Sequence, residues 1–181
     1  MLDIETLSTS TNAIVLTIGA LKFERSENKT RLLKDMDSFY ERVCIESCSK
    51  IGLQSDEDTE KWWKSQNKEV YYEAIENKDR IPIQDALRKL SIFVRDCKYI
   101  WCQGINFDPV ILENAYRKSK IQIPWKYYNL RDTRTVFDIC KIDLKNFTKP
   151  DAHHNALQDC YTQYLALKKS FKIIFTITFF K

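Results

Sequence analysis

Residues 12–23 (Asn-Ala-Ile-Val-Leu-Thr-Ile-Gly-Ala-Leu-Lys-Phe) are apolar at both parities of an extended chain. A strand that faces water on one side alternates apolar with polar residues, so this stretch predicts a buried strand. The segment around residues 3–7 reads as an earlier strand. Residues 38–45 alternate well enough for a third, joined to the second as an antiparallel meander across the polar turn region 24–37. Two or three strands ahead of any helix argue against a simple repeat of strand, helix and parallel strand.

Helical signals then take over. The acidic triplet Asp58-Thr59-Glu60 opens a short helix through Lys61 to Gln66, and a second piece covers roughly 68–77. After Pro82, the spacing of Ile83, Leu87, Leu90 and Val94 defines an amphipathic helix. Residues 99–103 form a buried strand. Asp108 and Pro109 start the next helix, as cap and first-turn residue, which sends Leu112, Ala115 and Tyr116 to the core. Residues 127–130 predict a short strand, Asp132 caps a helix to about Cys140, 143–152 is a polar loop, and a last helix runs from about 155 to 169. The tail, 170–181, is apolar and β-prone, an extra strand or a packed extension without an assigned role. The whole predicts an α/β fold with a mixed five-stranded sheet flanked by helices.

A chain of 181 residues suits one domain, here 1–169 followed by the tail. With 29 Lys and Arg against 25 Asp and Glu, a polyanionic partner is compatible but not demanded. Six cysteines form no C-x-x-C pair, and Cys44 and Cys48 with the histidines at 153 and 154 fit no usual zinc spacing. No leader is visible and no run approaches the ~18 apolar residues of a membrane span, so the expectation is a cytoplasmic protein with reduced thiols and no membrane association.

Chemistry is carried by carboxylates at three separated places. In a strand, Asp3 and Glu5 share a face and repel each other unless a positive group lies between them. Alone, such a pair is common by chance. Asp108 follows the fourth strand, and Asp159 lies within the last helix. Four carboxylates converging on one pocket would need about two divalent cations, the known device for in-line phosphodiester displacement. His154 and Asp159 are five residues apart, about 500° around a helix, so they cannot share a helical face. His154 is therefore expected just before the first turn, on a mobile loop, with an imidazole suited to take a proton from water.

In this order, D-I-E-T at 3–6, N-F-D at 106–108 and H-N-A-L-Q-D at 154–159 resemble the three exonuclease motifs of the DEDDh superfamily of DnaQ-like, ribonuclease H-like 3′→5′ exonucleases. More narrowly, W-W-K-S-Q at 62–66, W-C-Q-G-I-N-F-D at 101–108 and R-D-T-R-T at 131–135 resemble the small branch of phage exonuclease A-like and mycobacterial exoribonuclease-like proteins. The likeness covers about residues 2–168. It implies a ribonuclease H-like fold in which Asp3, Glu5, Asp108 and Asp159 hold two Mg²⁺ or Mn²⁺ ions and His154 is the general base. The implied reaction releases nucleoside 5′-monophosphates from the 3′ ends of DNA or RNA. Thr6, Leu7, Asn106 and Phe107 match positions that contact the terminal nucleotide. Several relatives are homodimers, which leaves self-association open.

Bland readings stand beside these. His153 could be the base, although the motif's register selects His154. Trp62 and Trp63 could stack bases or fill the core. Arg131 and Arg134 could reach a phosphate or pair with a carboxylate such as Asp132. The lysines at 61, 64 and 68 form a solvated face or a basic rim. The rival functions are an exoribonuclease acting on RNA in place of DNA, and a weakly active nucleic-acid-binding or proofreading accessory module.

Overall fold

In the computed structural model, which describes residues 1–27, 29–148 and 154–179, β2 (Val15–Leu21) lies between β1 (Leu2–Thr6) and β3 (Ser38–Arg42) in an antiparallel sheet. All of β2 is buried, as its two-sided apolarity requires. Leu16, Ile18 and Ala20 join Leu2 and Ile4 in one core. That core is closed by α1 (Ile45–Lys50), α2 (Glu57–Lys64), α4 (Ile83–Phe93) and α5 (Asp108–Lys118). On the opposite face Leu21 packs with Cys160, Tyr164, Leu167 and Phe171 of α7 (Ala156–Phe179) and with Phe137 of α6 (Thr133–Ile139). Between α2 and α4 lies the short α3 (Lys68–Tyr71), continued by a π-turn over Tyr72–Glu76. No helix among the described residues is long and apolar enough to cross a membrane.

The expected five-stranded sheet is not formed. Among the described residues the five strands divide into the meander and a separate parallel pair, β4 (Ile100–Cys102) with β5 (Leu130–Asp132). β4 runs beside β1, but the amide on β1's open edge is already taken: Ile4 N–H donates to Asp108 Oδ1 at 3.1 Å. A carboxylate thus occupies a position where a ladder bond would have joined the sheets. For the same reason Asp108 is not the cap of α5. The capping residue is Phe107, and Asp108 is the first helical residue with its side chain turned to β1.

Local chemistry accounts for most other boundaries. Asp56 begins α2 two residues ahead of the predicted start, accepting Thr59 N–H at 2.7 Å. Asp132 caps α6 as predicted, through Arg134 N–H. Residues 127–129 form a 3₁₀ turn, and the strand follows at Leu130. Helix α1 replaces the end of the predicted third strand from Ile45 onward. The predicted loop at 143–152 holds a 3₁₀ turn at Leu144–Phe147, while 149–153, including His153, lie outside the described residues.

The last helix does not stop at 169 but runs to Phe179, so the tail through that residue is helix and not an extra strand. Its cause is packing at helical spacing. Phe171 stacks edge-on to Trp101 at 5.8 Å, and Ile174 packs against the same core, continuing the row Cys160, Tyr164, Leu167. Tertiary contacts override the β preference of the isoleucines and threonines.

Gly19 sets how closely α7 approaches the sheet. A Cβ there would lie 2.3 Å from the carbonyl carbon of Ala156. Gly19 stands opposite Asp3, so the same close approach carries the first turn of α7 to the carboxylate edge of β1. Gly19→Ala must push backbone aside. It is expected to cost at least about 1–3 kcal/mol in a denaturant melt and to lower activity; a neutral substitution would mean that α7 docks more loosely.

Candidate active site

β1 supplies two carboxylates by strand parity. Leu2, Ile4 and Thr6 are buried while Asp3 and Glu5 point to the opposite, half-open side, facing Gly19 and Thr17 of β2. Asp159 comes from α7. Asn155 precedes the helix and its side-chain oxygen accepts Leu157 and Gln158 N–H, the bonding of an N-cap. Asn155 Nδ2 in turn donates to Tyr40 Oη, whose hydroxyl donates to Glu73, itself paired with Arg42. A half-buried polar chain from β3 therefore fixes where α7 begins, and Asp159 sits one turn later, its amide bonded to Asn155 O.

Carboxylate oxygens of Asp3, Glu5 and Asp159 lie within 4.8 Å of one another. Asp108, only 4% exposed, is the fourth acidic wall of the same cleft, which measures about 630 Å³ and also contains His154, Gln163 and Arg134. All five residues predicted for catalysis thus line one cavity. Gln163 Nε2 donates to Asp3 Oδ1 at 2.9 Å and fixes one of its two oxygens. Position 163 is one turn from 159 on the same face of α7, a spacing from which this partner could have been read.

Burial is the first cause of the shifted acidities, and for Asp3 and Glu5 mutual repulsion is the second. Asp3 is held well above the usual carboxylate range by desolvation and by Asp108, Glu5 and Asp159. Glu5 is raised by desolvation, Asp159 and Asp108. Burial lifts Asp108 to about 7, against the opposing hydrogen bond from Ile4 and the Arg134 charge. Among the described residues, no Lys or Arg forms a salt bridge with Asp3, Glu5 or Asp108. Hard oxygen donors this close together, on Asp3, Glu5 and Asp159, fit Mg²⁺ or Mn²⁺.

These shifts make the cation-free fold sensitive to pH. Carboxyls whose folded pKa is raised contribute stability that is fully present below their unfolded values near 4. That contribution is lost as pH rises through the folded value, about 7 for Asp108. In EDTA the protein is expected to melt several degrees higher at about pH 5 than at pH 8. Millimolar Mg²⁺ should raise the pH 8 midpoint and close the gap. A midpoint higher at pH 8 without metal would contradict the electrostatics described.

His154 stands at φ +64°, in the left-handed region, immediately before Asn155. Its ring meets Trp62 edge-on at 4.7 Å. The two tryptophans divide their roles. Trp63 is core at 1% exposure, with Nε1 donating to Thr6 O at 2.8 Å, whereas Trp62 is 41% exposed. Trp62, Thr6 and Phe107 line a second groove of about 750 Å³ that shares Ile4, Glu5 and Phe107 with the cleft. Asn106 is exposed on the turn before α5, and Leu7 points into the core. Arg131 is engaged elsewhere, donating to Tyr128 O and lying over the Tyr99 ring. Arg134 lies over Gly104 at the wall of the cleft.

A comparison with curated proteins finds no match. The model of the 3′-5′ exoribonuclease Rv2179c-like domain matches residues 1–171, from the start of β1 to the part of α7 that packs under β2. With Asp3, Glu5, Asp108, Asp159 and His154 in one cleft inside that match, the chain belongs to the Rv2179c-like family and is a 3′-5′ exonuclease.

Proposed function

We propose that the protein hydrolyses the 3′-terminal phosphodiester of single-stranded RNA and releases nucleoside 5′-monophosphates. The observation that carries this is the convergence of Asp3, Glu5, Asp108, Asp159 and His154 on one cleft. The family description favours RNA over DNA. An antiparallel meander followed by a parallel pair, with helices on both faces, supports a ribonuclease H-like fold and a DEDDh-type site. Six free thiols favour a cytoplasmic setting.

In this reading Asp3, Glu5, Asp108 and Asp159 hold two divalent cations, Mg²⁺ or Mn²⁺. When bound, the pair supplies Lewis-acid stabilisation to the charge that develops on the attacking and leaving oxygens. The protein's own groups do the rest. Gln163 holds Asp3 by one oxygen and leaves the other for the cleft. Arg134 neutralises phosphate charge from the wall. His154 accepts the proton of the attacking water, and Trp62 limits where its ring can lie. The terminal nucleoside occupies the groove of Thr6, Trp62 and Phe107, with Phe107 at the junction of groove and cleft.

A time course on single-stranded RNA and DNA labelled at either end, with Mg²⁺, Mn²⁺ or EDTA, tests this directly. The expected result is a metal-dependent ladder shortening from the 3′ end, faster on RNA. Shortening in EDTA would remove the cations from the mechanism, and a faster DNA reaction would overturn the substrate assignment.

A further inference from the structure

We propose that a third groove, between α7 and the turns at Leu33–Asp35 and Leu144–Phe147, is the upstream subsite of the substrate strand, binding the unpaired bases that lie beyond the first on the 5′ side of the scissile bond. The inference rests on the exonuclease reading above and adds to it a path and a direction for the strand.

The groove encloses about 490 Å³ and is lined by the apolar side chains of Leu32, Leu33, Phe147, Tyr161 and Leu165. It is continuous with the catalytic cleft. Thr162 lines both, and the turn that places Phe147 in the groove places Lys145 in the cleft. The groove of Thr6 and Trp62 shares no lining residue with it, although each shares lining with the cleft that holds the carboxylates. A strand cut at the carboxylates must therefore extend into one groove and end in the other.

Charge decides which. The Trp62 groove carries Asp56, Glu57 and Asp58, a rim that repels phosphates but tolerates the terminal nucleoside, which has none beyond the one being cleaved. The groove on the α7 side carries Lys34, and Lys169 lies 5.6 Å from the Phe147 ring centroid. Asp143 at the cleft wall offsets part of that charge, its carboxylate turned back to Lys145 N–H. An aromatic surface with a basic margin is what a run of unpaired nucleotides requires, because bases stack and the backbone needs cations. Leu32, 58% exposed beside the partly buried Phe147, offers apolar surface that water covers poorly until a base does.

The test is substrate length. With Mg²⁺ and the full chain, KM is measured on an RNA dinucleotide, whose single base 5′ of the scissile bond stays in the cleft short of this groove, and on a single-stranded hexanucleotide. Wild type is expected to bind the hexanucleotide about tenfold or more better, the size of one stacked base. Phe147→Ala and the surface change Lys34→Glu should each erase much of that gain while leaving dinucleotide kcat/KM within about twofold. Equal KM for both lengths in wild type, or variants that slow both substrates alike, would overturn the subsite. Hydrolysis of the dinucleotide reports separately on the exonuclease reading: a wild type inert on both lengths overturns that reading and the subsite with it.

Discussion

Asp108→Asn is expected to reduce nucleotide release by on the order of 10³-fold or more while the protein stays folded. The activity loss follows from removing one of the four carboxylates proposed to hold the cations, since charge stabilisation at such sites amounts to several kcal/mol and each ~1.4 kcal/mol is a factor of ten. Asparagine is the informative replacement. Asp108 Oδ1 accepts the Ile4 amide at 3.1 Å in a buried setting, and alanine would leave that N–H without a partner at about 1–3 kcal/mol. An amide oxygen keeps the bond and discards the charge. In EDTA at pH 8 the variant should melt as high as wild type or higher, because burial, helped by the Asp132 charge, already disfavours the charged form of Asp108. Product release and a thermal melt on the same preparation check both halves. Activity within tenfold of wild type would take Asp108 out of the chemistry.

That pairing of Asp108 with β1 also marks the limit of what the sequence makes legible. Parity alone puts Asp3 and Glu5 on one side of a strand, and the helical spacing of Ile83, Leu87, Leu90 and Val94 foretells a buried face that the fold confirms. The five acidic and imidazole residues come together as their order along the chain implies. Hidden from such patterns are contacts that depend on three-dimensional proximity without a period. A carboxylate bonded to a strand amide replaces the ladder bond that would have fused β4 to β1. Gly19 resembles any strand glycine until Ala156 is found against it. The edge-on contact of Trp62 with His154 joins residues 92 positions apart in the chain. The helical tail was missed for another reason: the β-prone composition of residues 173–178 hides the helical period that Cys160, Tyr164, Leu167, Phe171 and Ile174 keep in the packed structure.

Removing the imidazole should give the second large effect, a loss of about 10²- to 10⁴-fold in turnover, the usual contribution of a positioned general base. The backbone dictates the variant. At φ +64° an alanine adds conformational strain to the loss of the ring, whereas asparagine tolerates the left-handed region. His154→Asn should therefore melt close to wild type and still show the Mg²⁺-dependent rise at pH 8, because Asp3, Glu5, Asp108 and Asp159 are untouched. Trp62→Ala should lower turnover less, since the base is present but no longer held by the ring 4.7 Å away, and Trp62→Phe should recover most of it. Single-turnover rates on RNA and melts with and without Mg²⁺ separate these roles. If His154→Asn loses the Mg²⁺-induced stabilisation as well as turnover, His154 serves the cation site and not the proton transfer.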